Sequence, residues 1–108
     1  MKSESSKVDF SRIPWQSPAP DVRFKSYQAS GRKLRLVKFG KDFIENDWCT
    51  NGHIGYVLKG SLEIDFEATD TTVRYTAGDG IFIEKGEDSR HKARILTESA
   101  MLILVEDD

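Results

Sequence analysis

One cysteine, two histidines and three prolines are all that 108 residues contain of those types. A lone cysteine cannot close an internal disulfide, which fits a reducing compartment. No apolar run approaches the roughly 20 residues that a membrane-spanning helix needs. The opening Met1-Lys2-Ser3-Glu4-Ser5-Ser6-Lys7 lacks the apolar stretch of a signal peptide, so a cytoplasmic protein is expected. The formal net charge of -2 and pI near 5.7 supply no general attraction to nucleic acid or to an anionic membrane. Sustained helical periodicity, repeats and low-complexity segments are also missing.

All three prolines fall between residues 14 and 20. Proline has no N–H to give to a ladder, so residues 1–21 read as an extended arm and not a central strand, with Phe10 and Trp15 as anchors. Residues 22–108 read as one domain. Short runs rich in Val, Ile, Leu, Phe and Tyr occupy 22–28, 33–39, 43–49, 54–58, 61–66, 71–76, 81–83, 91–96 and 101–105. Turn residues such as Ser30-Gly31, Gly40-Lys41-Asp42, Asn51-Gly52 and Ala77-Gly78-Asp79-Gly80 separate them. In 61–66 polar and apolar residues alternate throughout, which predicts Leu62, Ile64 and Phe66 facing a core. The pattern is that of an all-β domain of eight to ten strands, closed on itself or folded as two sheets. The basic residues Arg23, Lys25, Arg32, Lys33, Arg35, Lys38 and Lys41 read as a solvated outer face, and Glu106-Asp107-Asp108 as a solvated end.

The chemistry is concentrated in residues 46–60, which hold the only cysteine, one histidine, a carboxylate and one of two tryptophans. On an extended strand Asp47 and Cys49 share a face while Trp48 takes the other, so Asp47, Cys49 and His53 are candidate ligands of a metal. The same residues also suit structural roles: a buried cysteine as a small hydrophobe, Asp47 capping a turn, a hydrogen-bonded histidine. Trp48, Tyr56 and Phe82 suit either an intersheet core or a pocket wall. A Cys49 thiolate assisted by His53 is a further option, although the sequence offers no third residue to orient the histidine.

The spacing resembles the cupin superfamily, small double-stranded β-helix or jelly-roll barrels. Its first motif is His-x-His, three or four residues, Glu, six residues, Gly. Here Gly60 takes the last place, His53 stands where the Glu would be, and Cys49 and Asp47 fall on the two histidine positions. The second motif is Gly, five residues, Pro-x-Gly, two residues, His. Gly78 and Gly86 keep it, Glu84 replaces the proline, Ser89 fills the histidine position, and His91 follows with the same strand parity. The pattern Asp-Trp-Cys-Thr followed by Gly-His is similar to a bacterial group of small cupins. The resemblance implies a divalent metal (Zn, Fe, Ni or Mn) held by Asp47, Cys49, His53 and His91, with a small polar ligand in the barrel. It implies either a metal-dependent isomerase, lyase or dioxygenase, or a non-catalytic ligand-binding or assembly module whose metal site has degenerated. It also implies a homodimer, with the arm and a sheet face as the candidate contacts.

Overall fold

A computed structural model describes residues 6–107. Nine strands follow one another: β1 (Gln16–Ala19), β2 (Val22–Ala29), β3 (Arg32–Gly40), β4 (His53–Lys59), β5 (Ser61–Phe66), β6 (Thr71–Thr76), β7 (Gly80–Ile83), β8 (His91–Ile95) and β9 (Ser99–Asp107). They form two antiparallel sheets, one of six strands in the order β1-β2-β3-β9-β4-β7 and one of three in the order β6-β5-β8. The protein is thus all-β, with the two-sheet architecture of a jelly roll. Among the described residues the only helical segments with defined limits are the 3₁₀ turns Phe10–Arg12 and Glu87–Ser89, and no helix is long and apolar enough to cross a membrane.

The period-two alternation explains the core. Val37, Val57, Ile81, Ile83, Leu102 and Leu104 project from the large sheet onto Leu62, Ile64 and Ile95 of the small one. Leu62 and Ile64 are buried and Phe66 packs against them, as the alternation in 61–66 predicts. Opposite parity sends Ile54, Tyr56, Leu58, Phe82 and Val105 to the outer face of the large sheet. There Phe82 is 74% exposed. Tyr56 and Phe82 therefore belong to no intersheet core, and Trp48 lies under the ammonium of Lys92, 4.6 Å from the ring centre.

Residues 16–19 of the N-terminal segment pair with β2 at the edge of the large sheet, a position where strands accommodate proline. Trp15 lies against that sheet between two cations, with the Arg23 guanidinium 5.1 Å and the Lys25 ammonium 4.8 Å from its ring centre.

The expected strand at 43–49 is absent. The segment forms no ladder with β8, pairing with it at two isolated bridges, Ile44 with Arg94 and Cys49 with His91. Between those bridges the chain advances five positions on one side and three on the other, so two residues are in excess and the stretch bulges outward. The Glu45 carboxylate accepts from the Ala93 N–H at 3.0 Å, taking a donor that a regular ladder would give to a backbone carbonyl. Gly60, between β4 and β5, has φ +79°, and a β-carbon there would run into the carbonyl oxygen of Ser99.

Candidate metal centre in the barrel

His53 opens β4 and shares the inward parity of Val57; His91 opens β8 and is only 2% exposed. Cys49 is tied to His91 through the backbone. Its N–H donates to the His91 carbonyl at 2.8 Å, and the His91 N–H donates to the Cys49 carbonyl at 3.0 Å. Two strand starts and one bridge thus converge from both sheets. One donor atom each from Cys49, His53 and His91 lie within 4.8 Å of one another. The two imidazoles meet edge to face, 5.2 Å between centres.

The partners of the imidazoles fix which ring nitrogen carries a proton. His91 Nδ1 lies 2.9 Å from the carbonyl oxygen of Ser89, which can only accept, so Nδ1 carries the proton. His53 Nδ1 lies 2.6 Å from Glu106 Oε2. Arg35 donates to both oxygens of that carboxylate, Nε to Oε1 at 2.6 Å and Nη2 to Oε2 at 2.9 Å. Burial pushes the Glu106 carboxyl up; the hydrogen bonds from His53 and Arg35, together with their charges, outweigh it and hold the group at about 2. An ionised Glu106 accepts, so His53 also donates from Nδ1. When each ring is neutral, the lone pair that can bind a metal is on Nε2. Burial lowers the pKa of His91, which favours that neutral form.

Burial also acts on the third member of the cluster and on a neighbouring carboxyl. Burial raises the pKa of the Cys49 thiol, with the nearby Glu45 and Glu106 charges adding to it. Burial likewise raises that of Glu45, against the opposing Ala93 hydrogen bond and the His53 charge. Asp47 stands apart: its side chain is exposed, and it lies in the bulge outside the cluster. The parity that pairs it with Cys49 holds only on a regular strand.

Glu106 and Arg35 correct two expectations. Glu106 belongs to no solvated end; its side chain is 11% exposed between His53 and Arg35. Arg35 leaves the basic outer face and lines the interior. Strand parity carried the signal for both, since Arg35 is two residues from buried Val37 and Glu106 two residues from buried Leu104. Asp108 lies outside the described residues.

Two cavities adjoin the cluster. An inner chamber of about 270 Å³ runs between the sheets, and an outer mouth of about 650 Å³ opens toward Lys33, Phe82 and Lys85. Arg35, Asn51, His53 and Ile83 line both, which places His53 at the neck.

This fold is the cupin fold. RmlC-like cupin from Shewanella frigidimarina NCIMB 400 superimposes with a TM-score of 0.73 at 12% identity, over 93% of this chain and 87% of that one. KdgF from Halomonas sp. matches with a TM-score of 0.72 at 22% identity, over 91% of each chain. The Fe(II) form of HppE matches with a TM-score of 0.73 at 15% identity, over 92% of this chain and 58% of that one. No protein-family model matches the sequence, and no curated protein matches it.

Proposed function

We propose that the protein binds a divalent transition metal through Cys49, His53 and His91 and offers the remaining coordination position to a small molecule in the barrel. The carrying observation is that both histidines commit Nδ1 to fixed acceptors, Glu106 and the Ser89 carbonyl, beside a thiol in the same cluster. Three protein ligands are the number that catalytic zinc sites use, with the fourth place open. The thiolate and the exposure of Asp47 favour zinc over the two-histidine, one-carboxylate set of Fe(II) sites. Likeness to an Fe(II) protein supports a metal in this barrel without selecting iron.

When bound, such an ion polarises a ligand carbonyl or makes hydroxide available near neutral pH. Around it, Arg35 and Glu106 hold the His53 ring in place, and apolar side chains form most of the wall. Glu45, whose pKa burial raises, is placed to take or return a proton at the chamber wall. This arrangement suits an isomerase or lyase acting next to a carbonyl better than it suits a site closed by four protein ligands.

Elemental analysis of untagged protein tests the reading. Near-stoichiometric metal is expected in the wild type and none in a His53→Ala, His91→Ala double variant. A wild type that stays metal-free after reconstitution with zinc, iron, nickel and manganese would leave a non-catalytic ligand-binding barrel in its place.

We also propose a homodimer formed by the outer face of the large sheet. Ile54, Tyr56, Leu58, Phe82 and Val105 present about 500 Å² of side chain there at their typical areas, a sizeable part of the roughly 800 Å² per partner in stable complexes. A second copy offers the same patch, so a two-fold contact matches apolar surface to apolar surface. Sedimentation is expected to show twice the single-chain mass for the wild type and the single-chain mass for an Ile54→Glu, Tyr56→Glu variant. A monomeric wild type would remove the proposal.

A further inference from the structure

The wall of the inner chamber carries chemical information of its own. Six lining side chains are polar: Arg35, Glu45, Cys49, Asn51, His53 and His91. They are not scattered. Cys49, His53 and His91 form the cluster, Arg35 reaches it through Glu106, Glu45 bonds Ala93 two residues along β8 from His91, and Asn51 stands midway between Cys49 and His53 in the chain. The other eleven lining residues are all apolar. Among them Val37, Leu62, Ile64, Leu102 and Leu104 are buried, and the Phe39 and Phe43 rings pack 4.6 Å apart at the wall. A ligand seated here meets hydrogen-bonding and coordinating groups along one edge and hydrocarbon over the rest of its surface.

We infer, resting on the reading of the cluster as a metal centre, that the chamber takes a compact ring compound, one ring or two fused, with oxygen functions on a single edge. Size and polarity both support this. An apolar cavity of about 150 Å³ already accepts benzene, so the 270 Å³ found here accommodates a substituted or fused ring. An open-chain polyol or sugar acid of the same size would press several hydroxyls against Leu, Ile and Val side chains that offer them no partner, and each would remain unsatisfied. A ring with adjacent hydroxyl and carboxylate or carbonyl groups instead turns its oxygens toward His53, Cys49 and Arg35 and its carbons toward the core. The small polar ligand expected from the sequence is thereby narrowed to one polar at a single edge.

Calorimetric titration of the zinc-loaded protein with salicylate and with 3-hydroxybutyrate provides the test. The two share the spacing between carboxylate and hydroxyl, and only salicylate has a ring. Salicylate is expected to bind at least about tenfold more tightly, from the apolar area its ring removes from water. Ala93→Leu, which fills the chamber wall without replacing a donor, should abolish that preference. Val22→Phe, at a half-buried strand end where a larger side chain is more easily placed, repeats the test if Ala93→Leu fails to fold. Zinc content measured on the same samples separates the two readings. Bound zinc with equal affinities, or with a preference that survives in the folded variant, overturns the ring inference and leaves the metal centre standing. Absence of zinc binding removes both.

Discussion

A Glu106→Gln chain is expected to lose about 3 kcal/mol of stability, the cost of removing one member of a buried ion pair, and to hold its metal roughly 10- to 100-fold more weakly, as loss of an outer-shell partner does. The amide keeps the shape of the carboxylate but not its charge; its NH₂ is a donor facing the Arg35 donors, so Arg35 is left as a cation without its bidentate partner, and His53 keeps only a neutral amide oxygen to orient its ring. The pH dependence separates this cause from a general packing defect. Glu106 has a folded pKa of about 2 against an ordinary 4.5, so its contribution is fully present above 4.5 and is lost as pH falls through 2. At about 1.4 kcal/mol for each pKa unit, the difference between 4.5 and about 2 makes that contribution on the order of 3 kcal/mol. Urea midpoints measured from pH 7 to pH 2.5 should therefore fall more steeply for the wild type than for Glu106→Gln, and the two curves should converge at the acid end. Parallel curves would show that the carboxylate charge is not what stabilises this corner.

Gly60→Ala is expected to cost about 3 kcal/mol, through one to two for a left-handed backbone on a residue with a β-carbon and a further amount for the steric conflict. The glycine is the one residue between β4 of the large sheet and β5 of the small one, where the chain bends with φ +79°. Its missing side chain lets the Ser99 carbonyl, the start of β9, come against the turn. That oxygen belongs to backbone and cannot swing aside, so an added methyl must push β9 away from β4. In a domain with 5–15 kcal/mol in total such a loss is readily measured. Urea unfolding followed by tryptophan fluorescence should show the midpoint displaced with an unchanged slope. A shift below about 1 kcal/mol would mean that the turn relaxes and the close approach is unimportant.

Where the ladder is regular, side-chain direction was legible from the sequence. Leu62 and Ile64 are buried as their alternation predicts, and the same rule applied to β3 and β9 places Arg35 beside Val37 and Glu106 beside Leu104, although composition suggested a solvated face and tail. The cupin fold was legible too, because Gly60 and the Gly78-Asp79-Gly80 turn answer to backbone geometry between strands, independently of any chemistry. What could not be read was the segment carrying Cys49. A strand over 43–49 is the natural reading of its residues, but two surplus positions between the bridges to β8 break the ladder, which exposes Asp47 while the Glu45 carboxyl binds Ala93. A bulge is a choice of backbone register made by the partner strand, and no local pattern in the segment announces it.

In the large sheet the last of the described strands lies between two much earlier ones, β3 and β4. During synthesis β3 and β4 emerge long before β9 and have no partner for their facing edges until it arrives. The barrel consequently cannot close progressively as the ribosome delivers it. It closes in a late step that joins residues some seventy positions apart, Arg32 with Asp107 among them, and such long-range pairing is slow. Glu106 travels on that same strand, so the carboxylate that orients His53 reaches its place only as the nascent chain completes its sheet.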